Sequence, residues 1–172
     1  MGIEIERKYL VDDEKFLESL ESLTHGNDQA LDLEQFYLSF RPEVRVRISG
    51  YWIRRAEFVG KAALTIKGSG EGSGEALVRR EYEYSIPLRE AIGMRDLRVG
   101  HIIKKRRRIV YFGGKKWEAD EFFEPARFWM AEVELGSEGE ALELPSWILE
   151  EITGGERAGN AYLAEHGRCK LV

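Results

Sequence analysis

Acidic and basic residues recur at every second position through much of this chain, with apolar residues between them. Glu4, Glu6 and Lys8 share one parity, and Ile3 and Ile5 hold the other. Arg45 and Arg47 alternate with Val44, Val46 and Ile48, and Thr65 and Lys67 with Leu64 and Ile66. Arg79, Glu81 and Glu83 alternate with Tyr82, Tyr84 and Ile86. Glu118 and Asp120 stand beside Trp117 and Ala119, and Glu132 and Glu134 beside Ala131, Val133 and Leu135. Successive side chains of a β-strand point to opposite faces, so each segment reads as a strand with one apolar and one ionic face. In the basic run Lys104–Arg108, parity leaves two choices: Lys105 and Arg107, or Lys104, Arg106 and Arg108.

A solvated outer face laced with ion pairs explains any one such strand. It explains less well a pattern that repeats in strand after strand, sorts by sign, and contains few Ser, Thr, Asn or Gln. A closed barrel accounts for both features: the apolar faces turn outward to covering helices, and the ionic faces line a water-filled lumen. Charge turned inward must be paired, because an unpaired buried ion is costly. An anion on the basic side and a hard cation on the acidic side would do this. Carboxylates in such numbers suit Mg²⁺ or Mn²⁺. Several arginines and lysines together suit a polyanion carrying more than one phosphoryl group, since guanidinium binds phosphate bidentately.

The elements that would position these residues are mostly strands: Ile3–Val11, Gln35–Phe40, Val44–Ile48, Ala62–Lys67, Leu77–Ile86, Ile102–Phe112, Lys116–Phe122 and Trp129–Leu135. Tyr51–Val59 reads as a hairpin extension, and the Gly/Ser/Glu stretch 68–75 as a loop. Helical patterns cover Asp12–Leu23, Leu88–Leu97, Pro145–Ile152 and Glu156–His166, with Asp12 or Asp13 able to cap the first. Many strands with few crossovers predict an α+β fold built on antiparallel sheet. The chain has 172 residues and a net charge of −5, which suits a single domain over 1–172 and gives no reason to expect a nucleic-acid or membrane partner. A lone cysteine, Cys169, and the lack of an apolar span predict a cytoplasmic protein. No histidine spacing suggests a metal site, and no nucleophile–base pair suggests covalent catalysis.

The motifs taken in order resemble the CYTH superfamily, the triphosphate tunnel metalloenzymes. Glu4-Ile-Glu6-Arg-Lys8 resembles its E-x-E-x-K signature. Gln35-Phe-Tyr-Leu38, Arg45-Val-Arg47, Leu64-Thr-Ile-Lys67 and Arg79-Arg-Glu81-Tyr-Glu83 resemble its next four strand motifs. Lys105-Arg-Arg107, Trp117-Glu118-Ala-Asp120 and Ala131-Glu132-Val-Glu134 resemble the last three, and Pro145-Ser-Trp147 through Asn160-Ala-Tyr-Leu-Ala resembles the final segment of bacterial members. Two stretches, Tyr51–Gly60 and 68–75, are longer than the family pattern and bear on substrate choice.

The resemblance implies a closed eight-stranded antiparallel β-barrel tunnel with a charged lumen and helices packed outside. It implies a triphosphate-containing small molecule as substrate, most simply inorganic triphosphate hydrolysed with Mg²⁺ or Mn²⁺. Class IV adenylate cyclase and thiamine triphosphatase are the alternatives within the family, and a non-catalytic polyphosphate-binding module is the alternative outside enzymology. It also favours Lys105 and Arg107 as the inward pair. Glu4, Glu6, Glu132 and Glu134 would hold metal. Arg45, Arg47, Lys67, Arg79, Lys105 and Arg107 would grip the triphosphate, and Lys8 would contact it near the metal. Glu81, Glu83, Glu118 and Asp120 are candidates to orient the attacking water. A monomer or a homodimer is expected.

Overall fold

A computed structural model describes residues 2–24, 30–53, 57–68, 77–137, 139–154 and 159–169, with only the backbone given at 2–4, 53 and 77–79. The elements are β1 (Gly2–Val11), α1 (Asp13–Thr24), β2 (Ala30–Phe40), β3 (Glu43–Ile53), β4 (Glu57–Lys67), β5 (Leu77–Ile86), α2 (Leu88–Gly93), β6 (Val99–Phe112), β7 (Lys115–Glu124), β8 (Phe128–Glu134), β9 (Ile148–Glu151) and α3 (Asn160–His166). A 3₁₀ turn, Met94–Leu97, follows α2. The Gly/Ser/Glu loop lies outside the described residues from 69 onward, as do His25 and the expected start of the last helix at Glu156. No helix among the described residues is long and apolar enough to cross a membrane.

All strand pairings are antiparallel, in the order β5-β4-β3-β2-β6-β7-β8-β1-β9. β5 also pairs with β1, from Gly2↔Glu81 to Glu6↔Leu77. β1 therefore meets β8 along Glu6–Leu10, β5 along its first half and β9 along Tyr9–Val11. The sheet has nine strands where eight were expected. The extra one corrects a helix: Pro145–Ile152 is not helical, and its second half is β9. Beyond Glu6 the edge of β1 that meets β5 is open to another strand, and β9 pairs there.

Two helices cover outward apolar faces. Phe16 of α1, whose first turn is capped by Asp12 Oδ1 accepting from Lys15 N at 3.1 Å, is wholly buried between Trp147 and Trp129. Tyr9, Trp117 and Val133 from β1, β7 and β8 belong to the same cluster. α2 covers Phe36, Val46, Ile48 and Ala62 with Ala91.

The third helix corrects the expectation that every helix packs outside. Leu163 and Ala164 of α3 pack with Tyr37, Ile103, Phe122 and Met130. Those residues share strand parity with Gln35, Lys105, Asp120 and Glu132, so they belong to the face that carries the charges. The ionic face is thus apolar at one end, and α3 sits there. Gly100 permits the close approach: its φ is 69°, and a Cβ would lie 2.3 Å from the Ala164 carbonyl oxygen. Gly167, at φ 66°, ends the helix in the left-handed region.

Candidate functional site

One cavity of about 490 Å³ is lined by the alternating charges. Period-two geometry brings them there from seven strands, and the β6 ambiguity resolves: Lys105 and Arg107 line the cavity. Lys104, Arg106 and Arg108 are on the other face, where they meet Glu124, Asp32 and Glu121. Of the expected residues, Glu6, Lys8, Arg45, Arg47, Lys67, Glu81, Glu83, Glu118, Glu132 and Glu134 also line it, and Asp120 is buried beneath Lys105 and Arg107. Glu4 and Arg79 stand opposite each other in the β1–β5 register, and their side chains lie outside the description.

The cations fall into two electrostatic classes. The first is saturated by acids. Arg107 donates through Nε to Asp120 Oδ1 at 2.7 Å and through Nη2 to Asp120 Oδ2 at 2.6 Å, and it also meets Glu132 and Glu118. Burial works against its charge, but Asp120, Glu132 and Glu118 outweigh burial and hold the guanidinium well above its ordinary pKa. Lys8 lies between Glu132 and Glu6, with Glu6 Oε1 at 3.0 Å. Burial again opposes the charge, and the two carboxylates more than offset it, so its pKa is raised. Burial would raise the Glu132 carboxyl, yet Lys8, Lys105 and Arg107 hold it well below the carboxylate range. Asp120 is lowered the same way by Arg107 and Lys105 against its own burial.

The second class lacks that compensation. Lys105 donates to Asp120 Oδ2 at 2.6 Å, yet burial, helped by the charge of Arg107, pulls its ammonium down to about 8. Burial and then the charges of Arg45 and Arg107 lower Arg47, whose acid partner is Glu83 at 3.0 Å. Arg45 is buried, and among the described residues its guanidinium meets only the Thr65 hydroxyl, at 3.3 Å, with Nε lacking any partner.

The acids have their own crowding. Glu118 faces Glu132 directly across β7–β8, and Glu6 faces Glu134 across β1–β8. Like charges placed opposite each other in a sheet repel. Among the described residues no group of three or more acids, histidines or cysteines stands close enough to hold a metal.

Several cavity residues escaped the sequence reading. Lys61 shares parity with Lys67, but β4 begins at Glu57 and not at Ala62, so it fell outside the expected strand. Lys116 shares parity with Glu118 and pairs with it at 2.8 Å. Asn160 enters from α3, accepting from Lys105 Nζ at 3.4 Å. No local sequence signal marks that tertiary approach.

A family model described as the CYTH domain matches residues 2–160. An inorganic triphosphatase of Acetivibrio thermocellus is 35% identical over 170 residues, covering 96% of this chain and 96% of that one. The solved structure of the inorganic triphosphatase NE1496 superposes with a TM-score of 0.59 at 26% identity, covering 96% of each chain. A Hippeastrum protein, reported as a candidate adenylyl cyclase with a dominant triphosphatase activity, shares the fold at 14% identity, with a TM-score of 0.57 over 78% of this chain and 80% of that one.

Proposed function

The chain belongs to the CYTH domain family, and from that premise we propose that it is an inorganic triphosphatase, hydrolysing a phosphoanhydride bond of tripolyphosphate held in a tunnel. The observation that carries the reading is Arg45, a buried guanidinium with no carboxylate partner among the described residues, which together with Arg107 crowds Arg47. Burying such a group is unfavourable unless an anion joins it. The β1–β5 pairing supports a closed tunnel with β9 as an addition to its rim.

Binding follows from the two classes of cation. Arg45, Arg47 and Lys105 of the second class, with Lys67, which pairs with Glu81 at 2.7 Å, and Arg79 by register, would grip the phosphoryl oxygens and fix the chain for in-line attack. Arg107 and Lys8 would form the inner scaffold, fixed by Asp120, Glu132 and Glu6. Glu81, Glu83 and Glu118 line the cavity and are the acids able to orient water. Both Asp120 oxygens are engaged by bases, which suits a positioning role for it.

The facing pairs Glu6–Glu134 and Glu118–Glu132 are oxygen-only donor sets of the kind that fits Mg²⁺ or Mn²⁺. No three of the described acids converge here and Lys8 stands between Glu6 and Glu132, so Glu6, Glu132 and Glu134, with Glu4 by strand parity, would have to draw together to hold the ion, which would supply charge neutralisation for the phosphoryl oxygens when bound.

The test is phosphate release from tripolyphosphate with Mg²⁺, Mn²⁺ or EDTA, alongside ATP and thiamine triphosphate, with ATP reactions scanned for cyclic AMP. Release from tripolyphosphate that needs metal and exceeds release from the others supports the reading. Cyclic AMP formation with tripolyphosphate untouched overturns it.

A further inference from the structure

Gln35 is wholly buried, and among the described residues neither its Nε2 nor its Oε1 has a hydrogen-bond partner. It shares parity with Leu31 and Leu33, which line the cavity, and stands one step nearer to α3. In register it lies beside Arg47 of β3 and Ile103 of β6. Arg45 and Lys105 are its diagonal neighbours, being opposite Tyr37 and Leu33. Just past it the charged face gives way to the apolar cluster of Tyr37, Ile103, Phe122 and Met130 under α3.

Leaving a carboxamide buried without a partner is costly, and a leucine would fill the same space without that cost. A glutamine there is therefore out of place as core. Gln35 does not itself line the cavity, but its neighbours Leu33, Arg45, Arg47 and Lys105 do, so it stands as a neutral donor just behind the wall where those cations would already have drawn an anion. We propose that Gln35 is a substrate-binding residue whose Nε2 donates to the innermost phosphoryl group of the triphosphate, at an end of the tunnel that α3 fills. This rests on the triphosphatase reading. It adds a direction: the chain enters from the end away from α3, and its terminal phosphoryl group stops at Gln35.

The experiment measures tripolyphosphate binding by calorimetry without added metal, with the melting temperature of each ligand-free protein, for wild type, Gln35→Leu and Gln35→Met. Loss of one hydrogen bond to a charged group weakens binding about ten-fold or more. Both variants are expected to lose that much affinity while melting no lower than wild type, since each removes an unsatisfied amide. Affinity unchanged in either variant overturns the proposal, and a lowered melting temperature with unchanged affinity assigns Gln35 to the core. Wild-type turnover of tripolyphosphate, measured in parallel, separates the two claims. Binding that depends on Gln35 without any hydrolysis sinks the triphosphatase reading alone, and hydrolysis with Gln35 variants at wild-type affinity sinks this proposal alone.

Discussion

Lys105 and Asp120 form an ion pair of 2.6 Å in which both side chains are almost completely shielded from water. Asp120 is at the same time held by two nitrogens of Arg107, so one carboxylate balances two cations. Removing its charge with Asp120→Asn leaves Lys105 and Arg107 under-compensated. The variant should lose about 3–5 kcal/mol of unfolding free energy in urea, the cost of breaking a buried pair. Because the folded Asp120 carboxyl is held below its usual range, its contribution is present above the unfolded pKa of about 3.9 and lost as pH falls below it. Wild type should therefore show an acid-side loss of stability that Asp120→Asn lacks in part.

Lys105 gives a slope of the same sign in a separate, alkaline window. Its folded pKa of about 8 lies under the ordinary value of 10.5, so between the two the unfolded chain binds more protons and stability rises with pH. The same deprotonation removes a charge from the tripolyphosphate grip. Affinity measured without metal should step down through about pH 8, and Lys105→Met should flatten both the step and the stability slope.

Arg45 separates binding from stability. Among the described residues it has no carboxylate to abandon, so Arg45→Met should unfold at no lower urea concentration than wild type, while kcat/KM for tripolyphosphate falls about a hundred-fold or more. Lys8→Met is the contrast, because it strands Glu6 and Glu132 next to each other and should cost about 3–5 kcal/mol. Equal destabilisation by the two substitutions would contradict the division of cations into two classes.

Gly100 tests whether α3 must seat against β6. A methyl group there would collide with the Ala164 carbonyl at 2.3 Å, in a backbone region that side chains disfavour. Gly100→Ala should displace α3 and expose the cluster around Leu163 and Cys169, read as faster labelling of Cys169 by a thiol reagent than in wild type. Unaltered labelling would show that the helix tolerates the change.

The sheet and most of its cavity were legible because alternation has a single structural meaning: a period of two assigns every residue to a face, and Glu132, Arg45 and Lys67 fell where that rule puts them. The β6 face was not legible from parity, since a run of five cations has no apolar residue to break the tie. β9 was read as helix because its pairing with Tyr9–Val11 is a long-range event with no local signature. Gln35 was quoted within a motif but passed over as a site residue, because a single amide among apolar neighbours acquires meaning only once its partners are found wanting.

The first strand of the chain is hydrogen-bonded to β5, β8 and β9, reaching as far as Glu151. A ribosome makes β1 before β5, β8 and β9, so its edges wait for segments that emerge later. The hairpins β2–β3, β3–β4 and β6–β7 can form from neighbouring sequence, whereas joining β1 to β8 must pay for closing a loop of most of the polypeptide. During synthesis Glu6 and Lys8 therefore stay solvated, and their charges keep an unpaired strand edge from sticking to its neighbours until the sheet is assembled around them.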